Sequence, residues 1–312
     1  MAEGGGSHGE STGAILAAFV ANMGIAATKF AGFVITGSSS LLAEAIHSVA
    51  DSSNQGLLFY GGKAAQKAPT DLHQFGYGRS RYFWSFMVAA VLFSVGGIFS
   101  LYEGVHKIQH PEALDSPMVA IVILLLALGF ESFALRTAIG HARPHRGDRT
   151  WVQYIRSSRS PELPVLLLED SAALAGLTFA LIGVGLAEIT GDPIWDGIGT
   201  IGIGALLVLV AIVLAAEMKS LLLGESATPE DMQKVETALN ASDGVVSVIH
   251  VLTQHIGPDE LLVAVKAEFD SSLSVPQLAD AINDCESRIR AAVPIAERIY
   301  ICLLYTSDAA DE

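Results

Sequence analysis

The sequence predicts an all-α transmembrane bundle of six helices followed by a small cytoplasmic α+β domain of order α-β-β-α-β. Three observations carry this. Of 312 residues, 51% are hydrophobic and only 16% charged, with a mean hydropathy of +0.46, where a soluble domain carries about 25% charge. Six windows are apolar over the length of about 20 residues that a membrane helix needs. The character then changes: residues 225–312 hold 16 acidic and 5 basic side chains, a net of −11 out of −15 for the whole chain. This composition excludes an ordinary soluble enzyme. The net negative charge excludes a nucleic-acid binder, which needs a basic face.

The windows follow in order. Residues 12–35 carry one charge, Lys29; residues 39–62 carry Glu44, His47 and Asp51. Residues 82–102 carry none, 117–135 only Glu131, 163–187 Glu169 and Asp170, and 197–216 none. Gly197, Gly199, Gly202 and Gly204 recur in the sixth window, which suits close helix packing in lipid. Lys63, Lys67, Arg79 and Arg81 fill the loop 63–81, and six arginines fill 136–161. Both loops are therefore expected on the inside, with both termini, as in a bacterial inner membrane. Residues 1–11 read as a flexible N-terminus without the basic residues of a secretory signal. The transmembrane domain is expected over 12–222.

The cytoplasmic domain is expected over 225–302. Thr228-Pro229 reads as a helix start, and 229–241 as a helix. Residues 245–255 and 260–269 alternate as strands around the turn Gly257-Pro258-Asp259. Residues 275–293 read as a helix and 296–304 as a last strand. The run 303–312 resembles translated adapter sequence, is read as a non-native tail, and carries no functional argument. Cys285 and Cys302 are too few for a disulfide scaffold or a cysteine-rich zinc site.

Ionisable groups deep in a bilayer are expensive and rarely idle. In the second window Glu44, His47, Asp51 and Asn54 share one helical face. His47 and Asp51, at i and i+4, aim an imidazole and a carboxylate at one point, half a site for a divalent transition metal. In the fifth window Glu169 and Asp170 point about 100° apart. The small residues Ser171, Ala172, Ala173 and Gly176 favour Asp170 as the group facing the second helix. Glu169 is then a ligand, a proton carrier or a partner of Lys29.

The stretches Gly37–Asp51 (GSSSLLAEAIHSVAD), His73–Arg79 (HQFGYGR) and Asp192–Gly199 (DPIWDGIG) resemble the cation diffusion facilitators, proton-coupled metal exporters of the zinc-transporter type. The resemblance spans roughly 12–302. It implies a metal between helices two and five, with His47, Asp51 and Asp170 matching ligand positions. The remaining family position falls on Leu166, which cannot bind metal, and Arg81 stands where many members have Glu. Both departures resemble the zinc-transporter-nine-like branch, whose fifth helix carries an adjacent Glu-Asp. Glu169, Asn54, Glu44 or water completes the set, and restoring His at Leu166 is expected to tighten zinc binding. A site richer in oxygen shifts preference from Zn2+ towards Mn2+ or Fe2+, with Co2+ a further candidate cargo.

The resemblance also implies alternating access, protons as counter-ion and a homodimer in the lipid bilayer. Asp71 and His73 match the family's peripheral metal site, with a solvated loop pair as the alternative. His141 and His145 lie among arginines that repel cations. His250 and His255 point to opposite faces of one strand. A metal-responsive scaffold without transport is the second reading, with Leu166 its best argument. An intramembrane hydrolase is disfavoured, because the chain has no HExxH motif, so no enzyme activity is expected.

Overall fold

The computed structural model of the chain describes residues 23–304. The expected flexible start, the first half of the first window and most of the adapter-like tail lie outside the described residues. The helices are α1 (Met23–Thr36), α2 (Ser39–Ala65), α3 (Ser80–Gln109), α4 (Pro117–Arg146), α5 (Trp151–Ser157), α6 (Glu162–Thr190) and α7 (Ile194–Leu223). Then come α8 (Pro229–Asn240), β1 (Val245–Gly257), β2 (Glu260–Phe269), α9 (Val275–Ala292) and β3 (Arg298–Leu303). Among the described residues α3, α4, α6 and α7 are long and apolar enough to cross a membrane.

The chain divides into two compact units. One holds the residues up to Tyr60, Trp84–Ile155 and Glu162–Glu217; the other holds Gly61–Phe83, Arg156–Pro161 and the chain from Met218 on. In the first unit Leu41, Val88, Leu92, Leu124, Val165, Leu177, Ile203 and Leu207 form a continuous buried core. Its outward residues are apolar too, among them Val122, Leu126, Phe130 and Phe133 of α4, as a lipid-facing surface requires. The packing expected of the sixth window occurs between α3 and α7. A side chain on Gly104 would meet the Gly197 carbonyl at 2.8 Å, and one on Gly204 the Gly97 carbonyl at 3.0 Å. Gly96 and Gly97 lie in a π-helical stretch of α3, Leu92–Ile98.

The basic loop expected over 136–161 is corrected. α4 continues to Arg146 through Pro144, and α5 follows. Ala138 and Ala142 extend the buried stripe of α4 and pack with Tyr154 of α5 and Leu167 of α6. The Arg146 guanidinium lies 4.8 Å from the Trp151 ring centre. Arginine content suggested a loop, but this packing keeps the backbone helical.

In the second unit the sheet order is β1-β2-β3. β1 and β2 are antiparallel, with Val251 opposite Val265; β3 runs parallel to β2, with Ile299 beside Val263. Leu261, Val263, Val265 and Ala267 alternate onto one face and pack with Val235 and Leu239 of α8 and with Cys285 and Ile289 of α9. Thr228 caps α8, accepting the Asp231 N–H at 3.2 Å, and Ser274 with Gln277 forms a capping box on α9. The backbone of Gly78 approaches that of Ile256 and Gly257 too closely for a side chain on Gly78. Arg81 pairs with Asp259 at 2.5 Å and Arg159 pairs with Glu225.

Candidate metal centre

α2 starts at a built junction. Gly37 has φ +67°, a left-handed turn that glycine adopts without strain. The three serines that follow turn onto the buried Asp196 of α7. Its carboxylate accepts the Ser39 N–H at 2.8 Å, the Ser40 N–H at 3.3 Å and the Ser38 hydroxyl at 3.0 Å. An anionic side chain at a helix N-terminus satisfies orphan donors and meets the positive end of the dipole. Lys107 donates to the Gly37 carbonyl at 3.0 Å and Ser39 to Glu103 at 3.0 Å. Asp196 thus fixes the phase of the helix that carries Glu44, His47 and Asp51. Its burial and role were not legible from the stretch it sits in.

Along α2 the polar groups face inward. Glu44, His47 and Asn54 are at most 1% exposed. The His47 Nε2 lies 3.5 Å from Asp51 Oδ2. Both ring nitrogens of His47, and Glu44 Oε1, Asp51 Oδ1, Asn54 Oδ1 and Gln55 Oε1, are buried without a hydrogen-bond partner among the described residues. Acceptors left like this are costly in an apolar bundle and are suited to a cation.

Glu44 belongs to a separate group. The Lys29 ammonium of α1 donates to Glu44 Oε2 at 3.0 Å and to Ser48 at 2.8 Å, with both charged side chains fully buried. Of the three roles open to Glu169, that of partner to Lys29 is ruled out, because the ammonium is held by Glu44 and Ser48. Glu44 Oε1 sits where a side chain on Gly176 of α6 would begin, 2.8 Å away, so that glycine lets the carboxylate reach the helix.

The facing of α6 is corrected as well. Asn54 donates to Glu169 Oε1 at 2.6 Å. Glu169 is buried and Asp170 only half-buried. Glu169 and Gly176, seven residues apart, share the face that meets α2. Asp170, one position on, turns aside by about 100°. Leu166 packs with the cluster of Ala138, Ala142 and Tyr154. Among the described residues no three His, Cys, Asp or Glu side chains stand together as a preformed cage.

The secondary candidates lie elsewhere. The His73 ring meets the Tyr77 ring edge-on at 4.6 Å, and Thr70 and Tyr77 hydroxyls are 3.2 Å apart. These residues and Asp71 are in the second unit, where His73, Tyr77, Arg79, Phe83 and Gln254 line a cavity of about 510 Å3. His255 is buried, with Nδ1 3.3 Å from the Gly257 carbonyl. Burial holds its imidazole below the ordinary value, Arg159 acts in the same sense, and the Gly257 carbonyl, Asp231 and Glu225 oppose them. Cys285 is buried and Cys302 exposed, both as free thiols.

A family profile described as Cation efflux transmembrane domain matches residues 15–223, and one described as Cation efflux protein, cytoplasmic domain, matches 227–301. The chain is 34% identical over 244 residues to the mitochondrial proton-coupled zinc antiporter SLC30A9 of Mus musculus, covering 78% of this chain and 43% of that protein. It is 30% identical over 264 residues to metal tolerance protein C4 of Arabidopsis thaliana, covering 84% of this chain and 58% of the relative. Magnetosome protein MamB of Magnetospira sp. (strain QH-2) is 24% identical over 274 residues, with 85% and 86% covered. The chain thus spans about half the length of the first two relatives.

Proposed function

This chain belongs to the cation efflux family, a multi-pass membrane family, and on that premise we propose that it exports divalent metal cations, zinc foremost, in exchange for protons. One observation carries the reading: a buried row of unpartnered nitrogen and oxygen atoms on α2, facing the Glu169 carboxylate of α6 inside an apolar bundle. Intramembrane groups of this kind mark ion pathways. His47, Asp51, Glu169 and Asp170 are the proposed ligands. Asn54 holds Glu169, and Lys29 neutralises Glu44.

The chemistry supplies the coupling. Imidazole and carboxylate bind metal only when deprotonated, so ion and proton compete for the same atoms. His47 has the side chain whose ordinary titration lies nearest physiological pH. Alternating exposure of the cluster to the two faces of the membrane then exchanges one for the other. The oxygen-rich ligand set extends the cargo to Mn2+, Fe2+ and Co2+. The basic loops support cytoplasmic termini, and the match to the family's cytoplasmic domain supports a homodimer.

The test is flux of Zn2+ into proteoliposomes of the full chain under an imposed pH gradient. Uptake that follows the gradient and collapses with it supports the exchanger. The absence of a preformed cage among the described residues, with Leu166 at a ligand position, favours a second reading, a metal-responsive scaffold. Zinc binding without flux would establish that reading instead.

A further inference from the structure

The cavity of about 510 Å3 lies wholly within the second unit and has the size of a small organic ligand site. Its lining sorts by chemistry. His73, Tyr77, Arg79, Ser80 and Gln254 bring hydrogen-bond donors, and Phe75, Phe83 and Leu222 bring apolar surface. No aspartate or glutamate is among the described residues that line it, Asp71 included. Arg81 and Arg159 are paired with Asp259 and Glu225, but Arg79 has no ion-pair or hydrogen-bond partner among the described residues. A second guanidinium, that of Arg298, lies over the Phe75 ring at 5.6 Å from its centre. The buried Nε of Arg298 has no hydrogen-bond partner among the described residues. The Gln254 amide donates to the Leu223 carbonyl at 3.3 Å, which holds it in place and leaves one N–H over.

The position of the cavity along the helices narrows the ligand. Ser80 and Phe83 stand in the first turn of α3 and Leu222 in the last turn of α7, and both helices are long and apolar enough to cross a membrane. The cavity therefore lies at the level where they leave the apolar layer. Apolar side chains are left uncovered there: Leu72 is 85% exposed, and Phe75 and Phe83 are each 47% exposed. An unpaired guanidinium beside uncovered apolar surface fits an anionic amphiphile. Phosphate oxygens take charge-assisted hydrogen bonds from arginine, and the glycerol and acyl part covers the rings. A cation in the same place meets a guanidinium and no carboxylate. We propose that this cavity binds the phosphodiester headgroup of an anionic membrane phospholipid, with Arg79 as its charge partner and His73, Ser80 and Gln254 completing the donor set. Gln254 belongs to β1 and Arg79 to the segment that leads into α3, so a bound headgroup ties the start of α3 to the sheet. The proposal is independent of the ion path between α2 and α6.

The experiment measures binding of dioleoylphosphatidylglycerol and dioleoylphosphatidylcholine to the full chain in a neutral detergent, by native mass spectrometry. Wild type is compared with Arg79→Gln, Arg79→Lys and Arg143→Gln, the last removing an exposed arginine outside the cavity. The wild type is expected to prefer phosphatidylglycerol by about tenfold or more. Arg79→Gln brings the two lipids within about threefold of each other. Arg79→Lys keeps part of the preference, and Arg143→Gln keeps all of it. Equal affinity of the wild type for the two lipids overturns the proposal. So does equal loss in Arg79→Gln and Arg143→Gln, which is the pattern of general attraction to basic residues. Inorganic phosphate and glycerol 3-phosphate are added as competitors. Displacement of the lipid by either one at matching concentration would mark a soluble-anion site and overturn the lipid assignment. Photolabelling of the wild type with a headgroup-diazirine phosphatidylglycerol does not depend on how the variants fold. Labels within 72–83 and 254–262 support the proposal, and labels confined to other segments overturn it.

Discussion

Asp196 of α7 accepts the backbone N–H of Ser39 at 2.8 Å and so ties the first turn of α2 to a helix 157 residues away in sequence. The same carboxylate takes Ser38 and Ser40. Two of the three sequence stretches that carry the family resemblance, Gly37–Asp51 and Asp192–Gly199, are therefore one structural device, a clamp that sets where His47 and Asp51 point.

Asp196→Ala is expected to lower stability by about 2 kcal/mol or more. It removes a cap and strands buried donors. Asp196→Asn, which keeps one acceptor, should lose less. Thermal unfolding in detergent measures both, and equal midpoints for Asp196→Ala and wild type would show that the clamp is dispensable.

Lys29 and Glu44 are a fully buried pair. Removing one partner leaves a charge uncompensated in the bundle, at a cost of about 3–5 kcal/mol. Lys29→Met and Glu44→Gln should each destabilise strongly, while the double variant recovers much of the loss. Additive losses in a double-mutant cycle would contradict a direct pairing.

Leu166→His follows the family pattern, and from sequence it should tighten zinc binding. The structure reverses that expectation. Leu166 packs with Ala138, Ala142 and Tyr154, while the face of α6 that meets α2 passes through Glu169 and Gly176. Calorimetry should find zinc affinity within about threefold of wild type. A tenfold gain would mean that α6 presents its other face.

His255 makes the C-terminal α+β domain sensitive to acid. Its folded imidazole titrates below the ordinary value because of burial. Below about pH 6.5 the unfolded chain therefore binds more protons than the folded one, and stability falls as pH drops through that region. Thermal unfolding of the full chain should show this loss between about pH 7.5 and about pH 5.5, and His255→Gln should flatten it. An unchanged slope in His255→Gln would assign the acid sensitivity to other groups.

The HxxxD pair of α2 was legible because charge in an apolar window has few bland explanations. The rotation of α6 was not. Glu169 and Asp170 are adjacent, and the small residues after them suit either facing. The choice is made by Asn54, which bonds Glu169 across 115 residues of sequence. The strands and helices of the C-terminal domain could be read closely, because Thr228, Pro229 and the Gly257 turn mark their ends locally. The extension of α4 to Arg146 could not, because it depends on contacts with α5 and α6.

The central claim is that the ion passes between α2 and α6. It is tested most directly by Zn2+ flux in proteoliposomes under a pH gradient, comparing wild type with Asp51→Ala combined with Asp170→Ala. The account predicts gradient-driven uptake in the wild type and none above empty vesicles in the double variant, with both proteins equally folded. Uptake by the double variant at the wild-type rate would contradict it.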